Sequence, residues 1–383
     1  MTNAEAVREE WRGPVESMSQ VLAQMRRVRS AVAREEGPAL DHIRPRNSVL
    51  NLVVVAREWS GAEEAAATIA RLAAGHPCRA IFLVDEPESK RTHIEARVAV
   101  QARPLAAGMM CEYEQVFLRV EGPTANHIPS LVEPLLEGDL RTVLWWIGSP
   151  PIGTRRFAEA ADVGEYLLVD SARFERPYEQ VVQLVALARG RRPRLWLGDF
   201  QWARLQPWRV GLAQFFNPAE RRGFLQGIGA VGLDYVGEGR GNRTGVALLA
   251  GWLAGALNWK LTRAVGGRGG VVVAHFEARG GQRVELQTRP VSLEGQAQGD
   301  IAAVRIDAVW NSQTLSLVKR RDAERPDCVL TEGTLGGREL PRRLVPLGSA
   351  DNAVLLAELV AAGKDEVYTG ALERAGELLE ALR

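Results

Sequence analysis

Two runs of apolar residues restrict the fold of this chain more than any other feature. VLNLVVVAR (residues 49–57) and RAIFLVDE (residues 79–86) flank the alanine-rich segment GAEEAAATIARLAAG (residues 61–75). Each run is apolar on both faces, which is typical of strands in the middle of a sheet that is covered on both sides. The alanine-rich segment predicts a helix that ends at Gly75. Since a strand, a helix and a strand in this order build a parallel sheet, the first half is predicted to be α/β.

The same alternation continues to about residue 192. It gives an antiparallel pair of strands at 93–102 and 111–121, a helix near 124–137, strands RTVLWWIG and EYLLVDS, and the helix YEQVVQLVALARG. We therefore predict an α/β domain at 47–192 with a mostly parallel, mixed sheet. Residues 1–46 are predicted to form an amphipathic helix and a connector.

The second half has a different pattern. A strand IGAVGLDYV and an apolar helix at 244–259 precede β-rich segments that are separated by glycine-rich turns, and two helices follow. The β-rich segments lie at 270–278, 282–291, 301–310 and 313–320. Glycine-rich turns of this kind suit hairpins. We predict an α+β domain at 193–383, an antiparallel sheet with helices packed on it.

Composition excludes several classes of protein. The formal net charge is +1, and acidic residues are spread among the arginines, so we expect no nucleic-acid partner. The three cysteines are scattered without a CxxC pair, which argues against zinc and disulfides and indicates a cytoplasmic protein. The longest apolar stretch, at 246–259, is shorter than the roughly 18 residues of a membrane span, and no signal peptide is recognisable.

Tryptophan is concentrated between residues 145 and 208, which hold five of the ten in the chain. Trp196, Trp202 and Trp208 are six residues apart, a spacing that turns a helical side chain by about 240°, so the three rings cannot share one helix face. Such a cluster indicates either a seam between domains or a surface that binds a partner. The candidate residues are Trp145, Trp146, Trp202, Trp208 and Arg209.

The segment GEGRGNRTG, residues 237–245, joins a predicted strand to a predicted helix. Backbone N–H groups and the helix dipole favour an anion at such a place. The candidate phosphate-binding residues are Gly239, Arg240, Gly241, Arg243 and Thr244. The spacing matches neither GxGxxG nor a P-loop. The alternative is a flexible turn whose arginines lie in solvent.

Other chemically suggestive residues have simpler explanations. Cys78 follows His76 at the start of a strand, and Ser171 ends one without a GxSxG motif, so we assign no catalytic residue. The histidines are isolated, so no metal site is expected. Cys111 opens a strand near a loop and is a candidate redox-responsive thiol, with a buried structural cysteine as the alternative.

The chain resembles the glucose-6-phosphate dehydrogenase assembly protein family (OpcA) of bacteria from about residue 47 to near its C-terminus. The resemblance rests on several motifs in order: HPCRAIFLV, MCEYEQVFLRVEG, HIPSLVEPLLEGDLRTVLWWIGSPP, YLLVDS, LGDFQWARLQPWRVGLAQFF and LLAGWLAGAL. It implies a non-catalytic subunit without a cofactor that binds glucose-6-phosphate dehydrogenase and promotes its active oligomer in the oxidative pentose phosphate pathway, as an allosteric activator. Some members carry redox-responsive cysteines, whereas the three here are scattered.

Two alternatives remain open from the residues. One is a sugar-phosphate- or nucleotide-binding enzyme, or a sensor, that uses the turn at 237–245. The other combines both functions: a regulatory subunit that responds to a phosphometabolite effector bound at that turn.

Overall fold

A computed structural model describes residues 6–35, 48–73, 75–104, 110–190, 195–238, 241–348 and 351–382. The chain forms two compact units, and each consists of separate stretches of sequence. Unit 1 comprises Met1–Asp170, Arg191–Gly198 and Asp351–Lys364. Unit 2 comprises Ser171–Gly190, Asp199–Ala350 and Asp365–Arg383. The predicted boundary near residue 192 stays a prediction.

The helices and strands follow one another along the chain. They are β1 (Ala6–Pro14), α1 (Met18–Glu35), β2 (Leu50–Ala56), α2 (Trp59–Leu72), β3 (Cys78–Glu86), β4 (His93–Pro104), β5 (Met110–Glu121), α3 (Ile128–Val132), β6 (Thr142–Trp146), α4 (Arg155–Val163), β7 (Tyr166–Val169), α5 (Pro177–Arg189), β8 (Trp196–Asp199), α6 (Phe200–Arg204), α7 (Gln206–Phe216), α8 (Ala219–Arg222), β9 (Ile228–Val236), α9 (Thr244–Ala256), β10 (Lys260–Gly266), β11 (Val272–Glu277), β12 (Arg283–Val291), β13 (Ile301–Trp310), β14 (Gln313–Arg321), β15 (Cys328–Leu335), β16 (Arg338–Glu339), β17 (Arg343–Pro346), α10 (Asn352–Ala362) and α11 (Glu366–Glu380).

The sheet of unit 1 has the strand order β1-β4-β5-β3-β2-β6-β7-β8. β5, β3, β2, β6 and β7 are parallel, and β4 is antiparallel to its neighbours. Every residue of β2 is buried, as its apolar sequence predicts. From β5 to β8 the order is that of doubly wound dinucleotide-binding folds, in which β2 counts as the first strand. The order therefore reverses between β2 and β6.

The sheet of unit 2 has the order β10-β11-β12-β9-β13-β14-β15-β16, and β17 pairs with β15. All of these pairs are antiparallel except the parallel pair of β9 and β12. Burial alternates along β12, so one face of the sheet is packed and the other is exposed. The apolar helix α9 packs against α11, where the backbone of Ala371 and Ala375 leaves no room for a side chain at Gly251.

The predicted fold class is confirmed, with an α/β unit that contains a mixed, mostly parallel sheet and an α+β unit rich in antiparallel pairs. The helix predicted near 124–137 is wrong in length: α3 has five residues and is flanked by 3-10 turns, because Pro129 and Pro134 restrict the backbone. The amphipathic helix near the start is confirmed as α1. A strand that was not predicted, β1, precedes this helix in the sequence and pairs with β4 in the sheet of unit 1. The sequence also did not predict β8, β10 and the strands after β14.

Candidate functional site

The crevice between β2 and β6 is where a doubly wound sheet of this order binds its ligand, at the carboxyl ends of the strands. The turn after β2 in this chain contains Arg57 and Glu58, and α2 then begins at Trp59. Dinucleotide-binding folds place glycines in this turn so that the backbone can approach a pyrophosphate. Gly61 lies inside α2, and a Cβ there would come within 3.2 Å of the Ile147 side chain. The turn therefore lacks the open glycine backbone of a dinucleotide site.

Dinucleotide folds carry an acidic residue at the end of the strand that matches β3. Here β3 ends in two, Asp85 and Glu86, and Glu86 forms an ion pair with Arg119 over 3.0 Å. Asp85 is 2% exposed and forms an ion pair with Arg156 from the first turn of α4. The Arg156 guanidinium lies 5.6 Å from the centroid of the Trp146 ring. Burial, and to a lesser degree Arg57, lowers the pKa of Arg156. The carboxylate that would accept a hydrogen bond from a ribose is thus occupied by a side chain of the same unit.

The predicted anion-binding turn is partly closed. Gly239 and Arg240 lie outside the described residues. The side chain of Asn242 donates to the carbonyl of Ser171 over 2.7 Å and accepts from the Thr244 N–H over 2.8 Å. One N–H donor at the start of α9 is therefore already used within unit 2.

Two further features describe this turn. A Cβ at Gly245 would overlap the side-chain amide of Gln201, so this glycine allows close packing. The buried hydroxyl of Thr244 has no hydrogen-bond partner among the described residues. Arg243 occupies the N-cap position of α9, but its side chain does not form a capping hydrogen bond with the helix. Phosphate binding at Gly241, Arg243 and Thr244 stays a prediction.

Asp199 forms the centre of a buried hydrogen-bond network in unit 2. Its Oδ1 accepts from the backbone N–H groups of Ser171 and Gln201 over 3.0 and 2.9 Å. Its Oδ2 accepts from the Ser171 hydroxyl over 2.6 Å and from the Tyr368 hydroxyl over 3.3 Å. The residue caps α6, as its position before a short helix predicts. The Ser171 hydroxyl is thus bound to a carboxylate and serves the structure.

The candidate tryptophans of unit 1, Trp145 and Trp146, lie on β6 and are 5% and 4% exposed. Trp146 packs against Phe157, with the ring centroids 5.7 Å apart. In this structure both rings are therefore part of the core.

The candidate residues of unit 2 pack together. Trp202 is buried, donates from Nε1 to Asp365 over 2.8 Å and lies 5.6 Å from the Tyr368 ring. The Arg209 guanidinium lies 3.5 Å from the centroid of the Trp202 ring and donates to the Trp202 carbonyl. Burial lowers the pKa of Arg209 to about 10, although Asp365 acts in the opposite direction. Trp208 is also buried, so neither ring lies at the surface, and a role for these residues in binding a partner stays a prediction.

A different tryptophan is exposed. Trp310 is 37% exposed and Val309 is 58% exposed, both at the end of β13. Asn311 and Ser312 have positive φ angles of 47° and 61°, which are typical of the tight turn of a two-residue hairpin. One side of the Trp310 ring packs on Gly223, where a Cβ would come within 2.6 Å of Cδ1. The sequence pattern gave no signal for it, since Trp310 stands apart from the cluster at 145–208.

The remaining candidate residues are the cysteines Cys78 and Cys111. Cys78 is buried at the start of β3. The side chain of Cys111 lies outside the described part of the chain, so its redox role stays a prediction. In the described ranges, no three His, Cys, Asp or Glu residues are grouped as metal ligands. The same residues contain no helix that combines the length and the hydropathy of a membrane span.

Comparison with known families gives a clear result. Residues 69–186 match the model of the glucose-6-phosphate dehydrogenase subunit N-terminal domain, and residues 196–372 match the model of the C-terminal domain of that subunit. The chain belongs to the OpcA family.

Two proteins that carry the name OpcA are similar to this chain. The OxPP cycle protein OpcA of Nostoc punctiforme is 28% identical over 244 residues, which cover 62% of this chain and 51% of that protein. The protein of the same name from Synechocystis is 26% identical over 243 residues, which cover 61% and 49%. This chain therefore spans about half the length of these two relatives.

The fold of this OpcA family member is similar to that of a solved oxidoreductase from Sinorhizobium meliloti. The TM-score is 0.50 at 12% identity, and the match covers 88% of this chain and 97% of that structure. At such low identity the likeness concerns the fold and not the activity.

Proposed function

We propose that this chain is a non-catalytic subunit that binds glucose-6-phosphate dehydrogenase and promotes its active oligomer in the oxidative pentose phosphate pathway. The observation that carries the proposal is that both halves of the chain match domains described as parts of a glucose-6-phosphate dehydrogenase subunit. Such a subunit acts by linkage, since it shifts the enzyme towards whichever oligomer it binds better. Each tenfold shift needs about 1.4 kcal/mol of preference.

The residues of the doubly wound unit support a non-catalytic role. Its strand order is that of a doubly wound dinucleotide-binding fold, but Arg57 and Glu58 stand in the turn where such a fold has glycines. Of the two acidic side chains at the end of β3, Asp85 is ion-paired with Arg156 and Glu86 with Arg119. A dinucleotide would have to displace Arg156 from a buried carboxylate, and separating a buried ion pair is costly.

The hairpin tip formed by Val309 and Trp310 is the surface that we assign to the enzyme. A large aromatic ring that is supported on one side and exposed on the other is typical of residues that dominate binding energy at protein interfaces. The Gly223 backbone beneath Trp310 holds the ring in place, which reduces the entropy that binding would cost. The buried tryptophans of the predicted cluster lack this exposure.

The test is a titration of this protein into purified glucose-6-phosphate dehydrogenase from the same organism. Reaction rate, apparent KM and mass of the complex are recorded together. We expect a complex, a larger enzyme oligomer and a higher rate at low substrate. The proposal is refuted if no complex forms and the kinetic constants do not change.

A pair of variants tests the assigned surface. Replacing Trp310 by Ala removes the exposed ring and is expected to weaken the complex by about tenfold or more, which corresponds to roughly 1.4 kcal/mol. Val265→Ala is the matched control, since Val265 is 42% exposed on β10 and belongs to another part of the sheet. Equal affinity of Trp310→Ala and the wild type would place the docking surface elsewhere.

The alternative of a nucleotide- or sugar-phosphate-binding enzyme has the oxidoreductase-like fold in its favour. Calorimetry with NADPH, ATP and glucose 6-phosphate tests it, and we expect no binding at the turn that Asn242 partly closes. Millimolar or tighter binding that is lost in Arg243→Ala would support the alternative, including a phosphometabolite effector, and would contradict our expectation.

A further inference from the structure

A cavity of about 400 Å³ lies within unit 2, between α7 and the strands β14, β15 and β17. Trp208 and Phe215 from α7 and Lys319 of β14 line it, and the Lys319 side chain extends towards Gly211 of α7. The volume falls within the range of small-molecule sites, which is about 300–1,000 Å³.

Lys319 is a buried cation whose ammonium group, within the described part of the chain, forms no ion pair with a carboxylate. The residue is 7% exposed, and its Nζ donates to the Thr331 hydroxyl over 2.8 Å. Among the described residues, no carboxylate lies within 4.0 Å of this ammonium group, whereas most cations buried to this degree are paired. Burial, and to a lesser degree the positive charge of Arg343, lowers the pKa of Lys319 to about 8.

The carboxylate in the lining of this cavity is already ion-paired with arginines. Glu332 lines the cavity, but its carboxylate accepts from Arg320 over 3.1 Å and lies 3.5 Å from Arg342. Arg343 also lines the cavity and lies close enough to affect Lys319. The cavity therefore combines an excess of positive charge with an aromatic wall.

An ammonium group has three N–H donors, and only one of those of Lys319 is used by Thr331. A protonated lysine in this position is costly unless an anion compensates its charge. At neutral pH most of the Lys319 side chains are protonated, since the pKa lies above 7. An anionic group placed between Lys319 and Arg343 would accept the remaining donors and offset both charges.

We propose that this cavity binds a small organic anion, either a phosphate ester or a carboxylate, whose aromatic or apolar body lies against Trp208 and Phe215. Lys319 and Arg343 hold the charged group. The inference is independent of the proposed function, because the cavity is formed by one unit of this chain and its test needs no enzyme.

Calorimetry of the full chain with three probes of similar shape tests the proposal. Phenyl phosphate and benzoate carry the two candidate anionic groups, and benzyl alcohol is their neutral counterpart. We expect at least one of the two anions to bind at millimolar concentration or below, and benzyl alcohol to bind about tenfold more weakly. The stronger anion identifies the chemical class. The result that overturns the proposal is no binding of either anion, or equal binding of the alcohol.

Two variants and a control locate the binding. Lys319→Met keeps the volume and removes the charge, and Arg343→Ser removes the charge of an exposed residue. Both are expected to weaken binding of the anion about tenfold or more. Arg338→Ser, on the neighbouring strand β16, is the matched control and should bind as the wild type does. Undiminished binding in Lys319→Met would place the anion elsewhere and refute the proposal.

Discussion

Replacing Lys319 by Met should stabilise the protein near neutral pH. Burial lowers the pKa of this lysine from its usual 10.5 to about 8. At about 1.36 kcal/mol for each pKa unit, keeping the charged form in the folded state costs roughly 3 kcal/mol. Methionine removes this cost but also loses the hydrogen bond to Thr331, which is worth about 1 kcal/mol. We therefore expect a net gain of about 2 kcal/mol at pH 7.

The gain should depend on pH in a defined direction. The pKa of Lys319 is lower in the folded state than in the unfolded state, so the folded protein releases its proton first. The wild type consequently gains stability as the pH rises from about 8 to about 10.5, while the Met variant lacks this contribution. The difference between the two proteins should shrink over this range.

Urea denaturation followed by tryptophan fluorescence measures both effects. The midpoints of wild type and variant are compared near pH 7 and near pH 10, so that contributions common to both proteins cancel. Lys260→Met serves as the control, because Lys260 is exposed on β10 and its loss should change little. A variant that is less stable than the wild type at pH 7, or a difference that stays constant with pH, would refute the reasoning.

Three further substitutions test contacts inside one unit or the other by the same denaturation assay. Gly198→Ala would place a Cβ within 2.6 Å of Leu168 Cδ2 and should cost about 1–3 kcal/mol; an unchanged midpoint would contradict the tight packing. Asp199→Ala removes the acceptor of four hydrogen bonds and should cost about 3 kcal/mol or more, whereas Asn at the same position should cost clearly less. Trp202→Phe loses the hydrogen bond to Asp365 and should cost about 1–2 kcal/mol; no loss would show that the bond contributes little.

The central strands could be predicted from the sequence, because a strand with apolar residues on both faces is stable only in the interior of a covered sheet. β2 and β3 are buried along almost their whole length, and burial on both faces is what a continuous apolar run requires. Short or mixed strands carry no such signal. β8 has four residues, one of them a glycine, and β15 combines apolar residues with Thr and Glu, so contacts between distant parts of the chain decide their conformation.

The candidate sites were harder to predict for a related reason. Lys319 follows Leu315 and Leu317 at two-residue steps along β14, so all three side chains lie on the same, buried face of the sheet. This alternation is the sequence feature that could have indicated a buried lysine. The contacts of the turn at 237–245 involve remote positions, since Asn242 bonds the Ser171 carbonyl and Gln201 packs on Gly245. The exposure of Trp310 depends equally on which neighbours the fold provides. The sequence pattern indicates which face of its helix or strand a residue occupies, but not which residues from distant parts of the chain pack against it.

The interleaving of the two units bears on how the chain folds during its synthesis. α5 belongs to unit 2 and packs against α11 at the end of the chain, where Gly376 gives room to Val185. Unit 1 likewise needs α10, which follows almost all of unit 2 in the sequence. Neither unit can be complete before nearly the whole chain has left the ribosome. Partly synthesised chains therefore expose apolar surfaces for most of translation, and a fragment cut near residue 192 leaves both pieces without a helix that they require.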